Sequence, residues 1–193
     1  MKILFVGNSY TYFNDMPSKF RELCAENGVD AEVWSVTKGG YSFAHYLSEE
    51  NEKGMEFRAR LAERTYDYVV LQDQSVSPAE HTEAFLERAR VLCAMVRENG
   101  AVPVFYQTWG RREGSEVLEK HGWSHDVMHT LLKNAYTDAA KENYARIVYA
   151  GDALRAAYAN GVDVYHPDGS HPSEDGSKVV ARAFFEALCD SKK

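Results

Sequence analysis

Short apolar runs alternate with longer stretches of helical period along this chain. Ile3-Leu4-Phe5-Val6, Tyr68-Val69-Val70-Leu71 and Val102-Pro103-Val104-Phe105-Tyr106 are continuous apolar runs of strand length, the pattern of strands covered on both faces. Residues 31–36, Ala-Glu-Val-Trp-Ser-Val, alternate apolar and polar positions and fit a strand nearer a sheet edge. Residues 146–149 form a fifth short run. Pro103 falls near the start of its strand, where a missing N–H harms the ladder least. Helical periods occupy residues 17–26, 43–62, 78–98, 126–143 and 174–188, and Asn27-Gly28 and Asn99-Gly100 end two of them as C-cap signals. Strands that alternate with helices in this way predict an α/β fold, a parallel sheet of about five strands with helices on both faces.

Composition changes this picture little. At 193 residues the chain fits one domain, 1–193, with 45% hydrophobic and 26% charged residues. The formal net charge of -7 and the absence of any basic run exclude nucleic acid as an expected partner. Cys24, Cys93 and Cys189 lie far apart without metal spacing, each in a helix-like stretch, and read as small buried hydrophobes. No stretch is long and apolar enough to cross a membrane. The first strand begins at Lys2 and leaves no room for a signal peptide, so the expected location is the cytoplasm.

Open parallel sheets bind ligands beyond the carboxyl ends of their strands. Gly7-Asn8-Ser9-Tyr10-Thr11 follows the first strand, and Thr37-Lys38-Gly39-Gly40-Tyr41-Ser42 the second. Gln72-Asp73-Gln74-Ser75 follows the third, and Gln107-Thr108-Trp109-Gly110-Arg111-Arg112 the fourth. His166-Pro167-Asp168-Gly169-Ser170-His171-Pro172-Ser173 precedes the last helix. Acyl transfer by serine needs a base, a carboxylate to orient it and donors for the oxyanion. Asp168-Gly169-Ser170-His171 offers base and orienter from one loop, with Ser173 as N-cap of the closing helix. By itself the Asp-Gly pair is equally a plain turn that His171 decorates.

Taken together, these stretches resemble the SGNH (GDSL-like) hydrolase superfamily along nearly the full chain. Gly7-Asn8-Ser9-Tyr10-Thr11 is similar to its first block, Gly40 to the glycine of the second, and Leu71-Gln72-Asp73-Gln74-Ser75 occupies the third. Asp168-Gly169-Ser170-His171-Pro172-Ser173 is similar to the D-x-x-H-P-S block, the most specific match because it directly precedes the C-terminal helix. The resemblance implies a flavodoxin-like three-layer α/β/α sandwich. It also implies Ser9 as nucleophile, His171 as base, Asp168 as orienter, and an oxyanion hole of Ser9 N–H, Gly40 N–H and Gln74. Two departures stand out. Asn8 replaces the usual Asp, and Gln74 replaces the third-block Asn, with Gln72 an alternative donor.

Rival signals are weaker. Ser42 sits in an imperfect G-x-S-x-G setting just ahead of a helix and reads better as an N-cap. His121, His125 and His129 recur at helical spacing, but Gly122 interrupts them and no H-E-x-x-H pattern appears, so no metal site is expected. Asp163-Val164-Tyr165-His166 is a decoy D-x-x-H without the glycine turn. Arg111 and Arg112 either contact an anionic or hydroxylated substrate or face solvent. Tyr10, Tyr12, Tyr41, Tyr106, Trp109 and Trp123 lie near the same loops, and Tyr10, Tyr41, Gln72, Trp109 and His166 are the candidate substrate-binding residues.

The expectation is therefore a serine esterase for small acyl esters, with no metal or organic cofactor. The resemblance points to O-deacetylation of a carbohydrate. The alternatives are a thioesterase or lysophospholipase-type hydrolase, a catalytically silent sugar-binding module of the same fold, and a flavin-binding flavodoxin. The last is disfavoured because Gly7-Asn8-Ser9-Tyr10-Thr11 is poor in phosphate-cradling glycines and hydroxyls.

Overall fold

The computed structural model describes residues 1–189; the last four positions of the expected domain lie outside the described residues. Five strands form one sheet: β1 (Lys2–Gly7), β2 (Glu32–Thr37), β3 (Tyr68–Leu71), β4 (Val102–Tyr106) and β5 (Arg146–Val148). Their order is β2-β1-β3-β4-β5. Every neighbouring pair is parallel, with Leu4 opposite Trp34 on one side and Val69 on the other. The alternating strand β2 is an edge, and the continuous strands β1, β3 and β4 are internal. Pro103 lies opposite Val69, but pairing with β5 begins only at Val104, so no ladder bond to β5 is lost.

Helices run between the strands. They are α1 (Ser9–Tyr12), α2 (Met16–Glu26), α3 (Phe43–Leu47), α4 (Glu52–Glu63), α5 (Ser77–Glu80), α6 (Thr82–Glu98), α7 (Glu116–His121), α8 (His125–Glu142), α9 (Ala150–Ala159) and α10 (Glu174–Leu188), with a short 3-10 turn at Phe13–Asp15. Alternate strand residues face opposite layers. Leu4, Val6, Val69, Leu71 and Phe105 pack with Phe43, Phe57, Phe85 and Tyr136 of α3, α4, α6 and α8. Ile3, Phe5, Val70, Val104 and Tyr106 pack with Phe20, Leu154 and Phe184 of α2, α9 and α10. The Phe5 ring meets Phe20 at 5.8 Å and Phe184 at 5.2 Å, edge to face. Losing a buried ring of this kind typically costs about 3–5 kcal/mol.

Two expected helices are each two. The period over residues 43–62 breaks between Leu47 and Glu52, where Asn51 caps α4 by accepting from Lys53 N–H at 3.0 Å. The period over residues 78–98 breaks at His81, whose φ of −131° and ψ of 53° are non-helical. Helices α1, α7 and α9 were not expected from the pattern. His121 and His125 do not share a helix, because Gly122 ends α7 with φ 64° and α8 starts afresh at His125.

The chain reverses direction of growth at β1, which has β2 on one side and β3 on the other. In this doubly wound order the crevice opens between the carboxyl ends of β1 and β3. The loops after Gly7 and Leu71 therefore meet there.

Candidate active site

Gly7 ends β1 because nothing larger fits. A Cβ there would sit 2.5 Å from Thr11 Oγ1 and 2.6 Å from Gln72 Oε1. Asn8 follows as the N-cap of α1, its Oδ1 accepting from Tyr10 N–H at 3.1 Å. Its Nδ2 donates to Tyr41 O at 2.9 Å and Asp73 O at 3.3 Å. One amide thus ties the loops after β1, β2 and β3 together. An Asp here would set a carboxylate against two carbonyl oxygens, which gives a physical reason for Asn in place of the family's usual residue. Ser9 then stands at the first turn of α1, partly exposed.

The loop before α10 is built around Asp168. Its Oδ1 accepts from the backbone N–H groups of Ser170 and His171, both at 2.9 Å. Gly169 makes the turn with φ 67°. The same carboxylate holds the ring through Oδ2, 2.7 Å from His171 Nδ1. The other ring nitrogen, Nε2, lies 2.8 Å from Ser9 Oγ. The Phe13 ring stacks on the imidazole at 4.5 Å, and Asn14 Nδ2 donates to Pro172 O and Ser177 Oγ, fastening that segment to the loop. Ser173 caps α10 by accepting from Gly176 N–H at 3.0 Å.

Electrostatics follow from these bonds. Burial pushes the Asp168 carboxyl up, but the His171 ring and the two backbone donors outweigh it and hold the group well below the usual carboxylate range. An ionised carboxylate only accepts, so His171 carries its proton on Nδ1 and presents a lone pair on Nε2 to the serine hydroxyl. Asp73 behaves oppositely. Burial raises it to about 6, although Phe43 N–H and Gln74 N–H donate to its Oδ1.

A cavity of about 320 Å³ opens over Ser9, lined by Asn8, Tyr10, Gly40, Gln74, Ser75 and Arg111 and, on the opposite loop, by Asp168, Ser170 and His171. Neither Ser9 N–H nor Gly40 N–H meets a protein acceptor among the described residues. Gln74 uses its Oε1 to accept from Val76 N–H at 2.7 Å and Ser77 N–H at 2.9 Å. Two donors on one atom identify it as the oxygen, so Nε2 is the atom left for the cavity.

Four of the residues expected to bind substrate, Gln72, Trp109, Tyr41 and His166, are placed elsewhere. Gln72 is wholly buried; its Oε1 accepts from Asn8 N–H and Thr11 Oγ1–H, and its Nε2 donates to Asp73 O. It braces the loop of Ser9 from beneath and does not line the cavity, so Gln72 is not placed to serve as the alternative oxyanion donor. Trp109 is also buried, donating from Nε1 to Ser170 O at 3.0 Å and stacking on Tyr10 at 4.6 Å. It supports Tyr10, which does line the cavity. Tyr41 stacks on His45 at 4.4 Å outside the cavity. His166 lies outside it too, 3.1 Å from Asp168 Oδ2. Asp163 pairs with Arg112, so the decoy Asp163/His166 pair does not form. Ser42 caps α3, exchanging hydrogen bonds with His45. Ser75 and Ser170 line the cavity without having been singled out as site residues, and Arg111, weighed above as a substrate contact or a solvent-facing residue, lines it as well. Only their position in strand-end loops hinted at it.

No family model matches this chain, and no curated protein matches it in sequence. Solved structures do. A protein provisionally assigned as an SGNH hydrolase from Slackia heliotrinireducens is 34% identical, over 97% of this chain and 98% of its own, with a TM-score of 0.89. A DUF4886 family protein from Bacteroides uniformis superposes with a TM-score of 0.85 at 22% identity, over 98% of this chain and 83% of its own. An acetyl xylan esterase superposes with a TM-score of 0.72 at 15% identity, over 97% of this chain and 100% of its own. The last two share the fold. The first, with its identity and coverage, carries the further conclusion that this chain belongs to the SGNH hydrolase superfamily.

Proposed function

We propose that this protein is a serine esterase that hydrolyses small acyl esters through an acyl-enzyme. The observation that carries the reading is the continuous chain from Asp168 Oδ2 through His171 to Ser9 Oγ, at 2.7 and 2.8 Å, on the wall of an open cavity. His171 Nε2 takes the hydroxyl proton as Ser9 Oγ attacks the ester carbonyl. Asp168 fixes the tautomer and stabilises the imidazolium that forms. Ser9 N–H, Gly40 N–H and Gln74 Nε2 receive the developing oxyanion, each donor being worth roughly a hundredfold or more in rate. The imidazolium then protonates the departing alcohol. Water, deprotonated by His171, attacks the acyl-enzyme and releases the acid and the free serine.

The size and polarity of the cavity favour a short acyl group. At about 320 Å³ it sits at the small end of ligand sites, and its walls are mostly polar. A long acyl chain would find little apolar surface there. Carbohydrate O-deacetylation is the substrate class we favour, supported by the fold shared with an acetyl xylan esterase. The test pairs a fluorophosphonate probe with p-nitrophenyl acetate and acetylated xylo-oligosaccharides. The expected result is labelling mapped to Ser9 together with ester turnover; labelling of another residue, or turnover that survives Ser9→Ala, overturns the reading.

A further inference from the structure

Arg111 is the one arginine that lines the cavity over Ser9. Its backbone is fixed at both ends: its N–H meets Met128 Sδ at 3.4 Å and its carbonyl lies 2.9 Å from His125 Nδ1. Gly110 before it is wedged under α8, where a Cβ would fall 2.5 Å from His125 O. The guanidinium donates from Nη2 to Ser75 Oγ at 2.9 Å and lies 5.9 Å over the Tyr10 ring. Its Nε is buried and has no partner among the described residues.

What Arg111 lacks is a counter-charge. Arg112, its neighbour in sequence, pairs with Asp163 at 2.5 Å and lies over Tyr165. Arg111 has no carboxylate within ion-pair distance among the described residues. The carboxylate at the cavity, Asp168, is taken up by Ser170 N–H, His171 N–H and the His171 ring, with His166 beside it. A guanidinium has five donors, and one hydroxyl uses only one of them. The rest form a planar fork that suits a carboxylate or phosphate. In a chain of net charge -7, an unneutralised cation inside the pocket serves no general attraction between the fold's own parts.

We propose that Arg111 is the specificity-determining residue of this site, binding an anionic oxygen group, carboxylate or phosphate, carried by the ester a few bonds from the scissile carbonyl. This rests on the reading of Ser9 as the nucleophile. The anion belongs either to the acyl part or to the alcohol, and the experiment separates the two. One arm compares p-nitrophenyl hemisuccinate with p-nitrophenyl butyrate. The other compares O-acetylglycolate with its neutral methyl ester. In parallel, succinate and inorganic phosphate are tested for slowing fluorophosphonate labelling of Ser9.

The readout is the ratio of kcat/KM for the anionic ester to that for its neutral partner, which cancels general losses in a variant. We expect a ratio of about tenfold or more in one arm, the scale of a charge-assisted bond. Arg111→Gln should bring it near one, mainly through KM, and Arg111→Lys should restore part of it. Arg112→Gln should keep the wild-type ratio. Both anions should protect Ser9 in the wild type and not in Arg111→Gln. Ratios near one in both arms, an unchanged ratio in Arg111→Gln, or no protection where no ester of the panel turns over, each overturns the role of Arg111 while labelled Ser9 still stands as nucleophile. Failure of Ser9 to label at all overturns the nucleophile reading instead.

Discussion

Among the described residues, His171–Asp168 and His129–Asp152 are two His–Asp pairs of nearly equal length. His171 Nδ1 lies 2.7 Å from Asp168, and His129 Nε2 lies 2.8 Å from Asp152. Their surroundings differ in every respect that matters for chemistry. The His171 side chain is 25% exposed and has a serine hydroxyl on its second nitrogen. The His129 side chain is 2% exposed, and its Nδ1 meets no partner among the described residues. Asp168 is held by backbone donors of its own loop, whereas Asp152 is shared with Lys133 at 2.7 Å. Burial lowers the affinity of His129 for a proton more than Asp152 raises it, and Arg155 and His125 lower it further. A hydrogen-bonded imidazole and carboxylate thus fasten α8 to α9 in one place. In the other, the same bond turns the second ring nitrogen toward a hydroxyl and an open cavity.

The largest expected effect removes that hydroxyl. Ser9→Ala should lower ester turnover by about 10⁴-fold or more, since a triad acts as a unit. The melting transition should shift by less than about 1 kcal/mol, because the side chain contributes little packing. Turnover that persists would mean the hydroxyl is not what separates the two pairs. Asp168→Asn tests the orienting bond. An amide offers a donor where His171 needs an acceptor, so kcat should fall by about 10³–10⁴-fold. Asp152→Asn, the matched change at the other pair, should leave kcat within about threefold, measured on the same ester.

Asp73 is a third acid, buried with no imidazole beside it and with Oδ2 unpartnered. Its carboxyl is raised from 3.8 to about 6, chiefly by burial. Its contribution to stability is therefore fully present below its unfolded value and is lost as pH rises through about 6. Asp73→Asn fixes the neutral form. The variant should gain on the wild type between about pH 4 and 7, by about 3 kcal/mol at most. Parallel urea titrations across that range would expose the slope, and a constant difference would refute it. Gln74→Ala should lower kcat about a hundredfold with KM little changed, a pattern of transition-state binding that steady-state kinetics reads directly.

The smallest effect belongs to the buried pair. His129→Gln should cost about 1–2 kcal/mol and leave turnover nearly intact. It should also flatten one part of the pH profile. A histidine kept neutral in the fold but free to protonate when unfolded withdraws stability as pH falls below about 6.5. Denaturation of wild type and variant at about pH 5 and 7.5 measures that difference.

Much of this architecture was legible before any contact was known. Internal strands declare themselves by continuous apolar runs, and β2 by its alternation. Ser9, Asp168 and His171 fall in stretches whose local turns are set by Asn8 and Gly169. What escaped were features made by neighbours distant in sequence. Helix α9 has no local start signal, since Tyr149 at its N-cap makes no side-chain bond and Gly151 falls in its first turn. In the fold, Gly151 lies so close to the Thr108 carbonyl that a Cβ would overlap it. The breaks at Leu47–Glu52 and His81 carry no proline or glycine at the joint, and Phe43 of α3 stacks on Phe85 of α6 at 5.5 Å in the tertiary structure.

The same division runs through the site. Residue types and spacing offered Asp168 and His171 as a candidate orienter and base, because a tight Asp-Gly turn and a helix cap are local and short-ranged, while the expected role of Ser9 came with the resemblance to the SGNH superfamily. Only the tertiary structure decided which of several similar side chains faces the cavity. Gln72 and Gln74 are two residues apart on one loop, yet one braces the loop of Ser9 from the core and the other lines the pocket. Arg111 and Arg112 are adjacent, yet one pairs with Asp163 and the other, with no carboxylate at ion-pair distance among the described residues, lines the cavity over Ser9. Burial and pairing depend on which distant segments come together, and the parallel order of five strands brings them there.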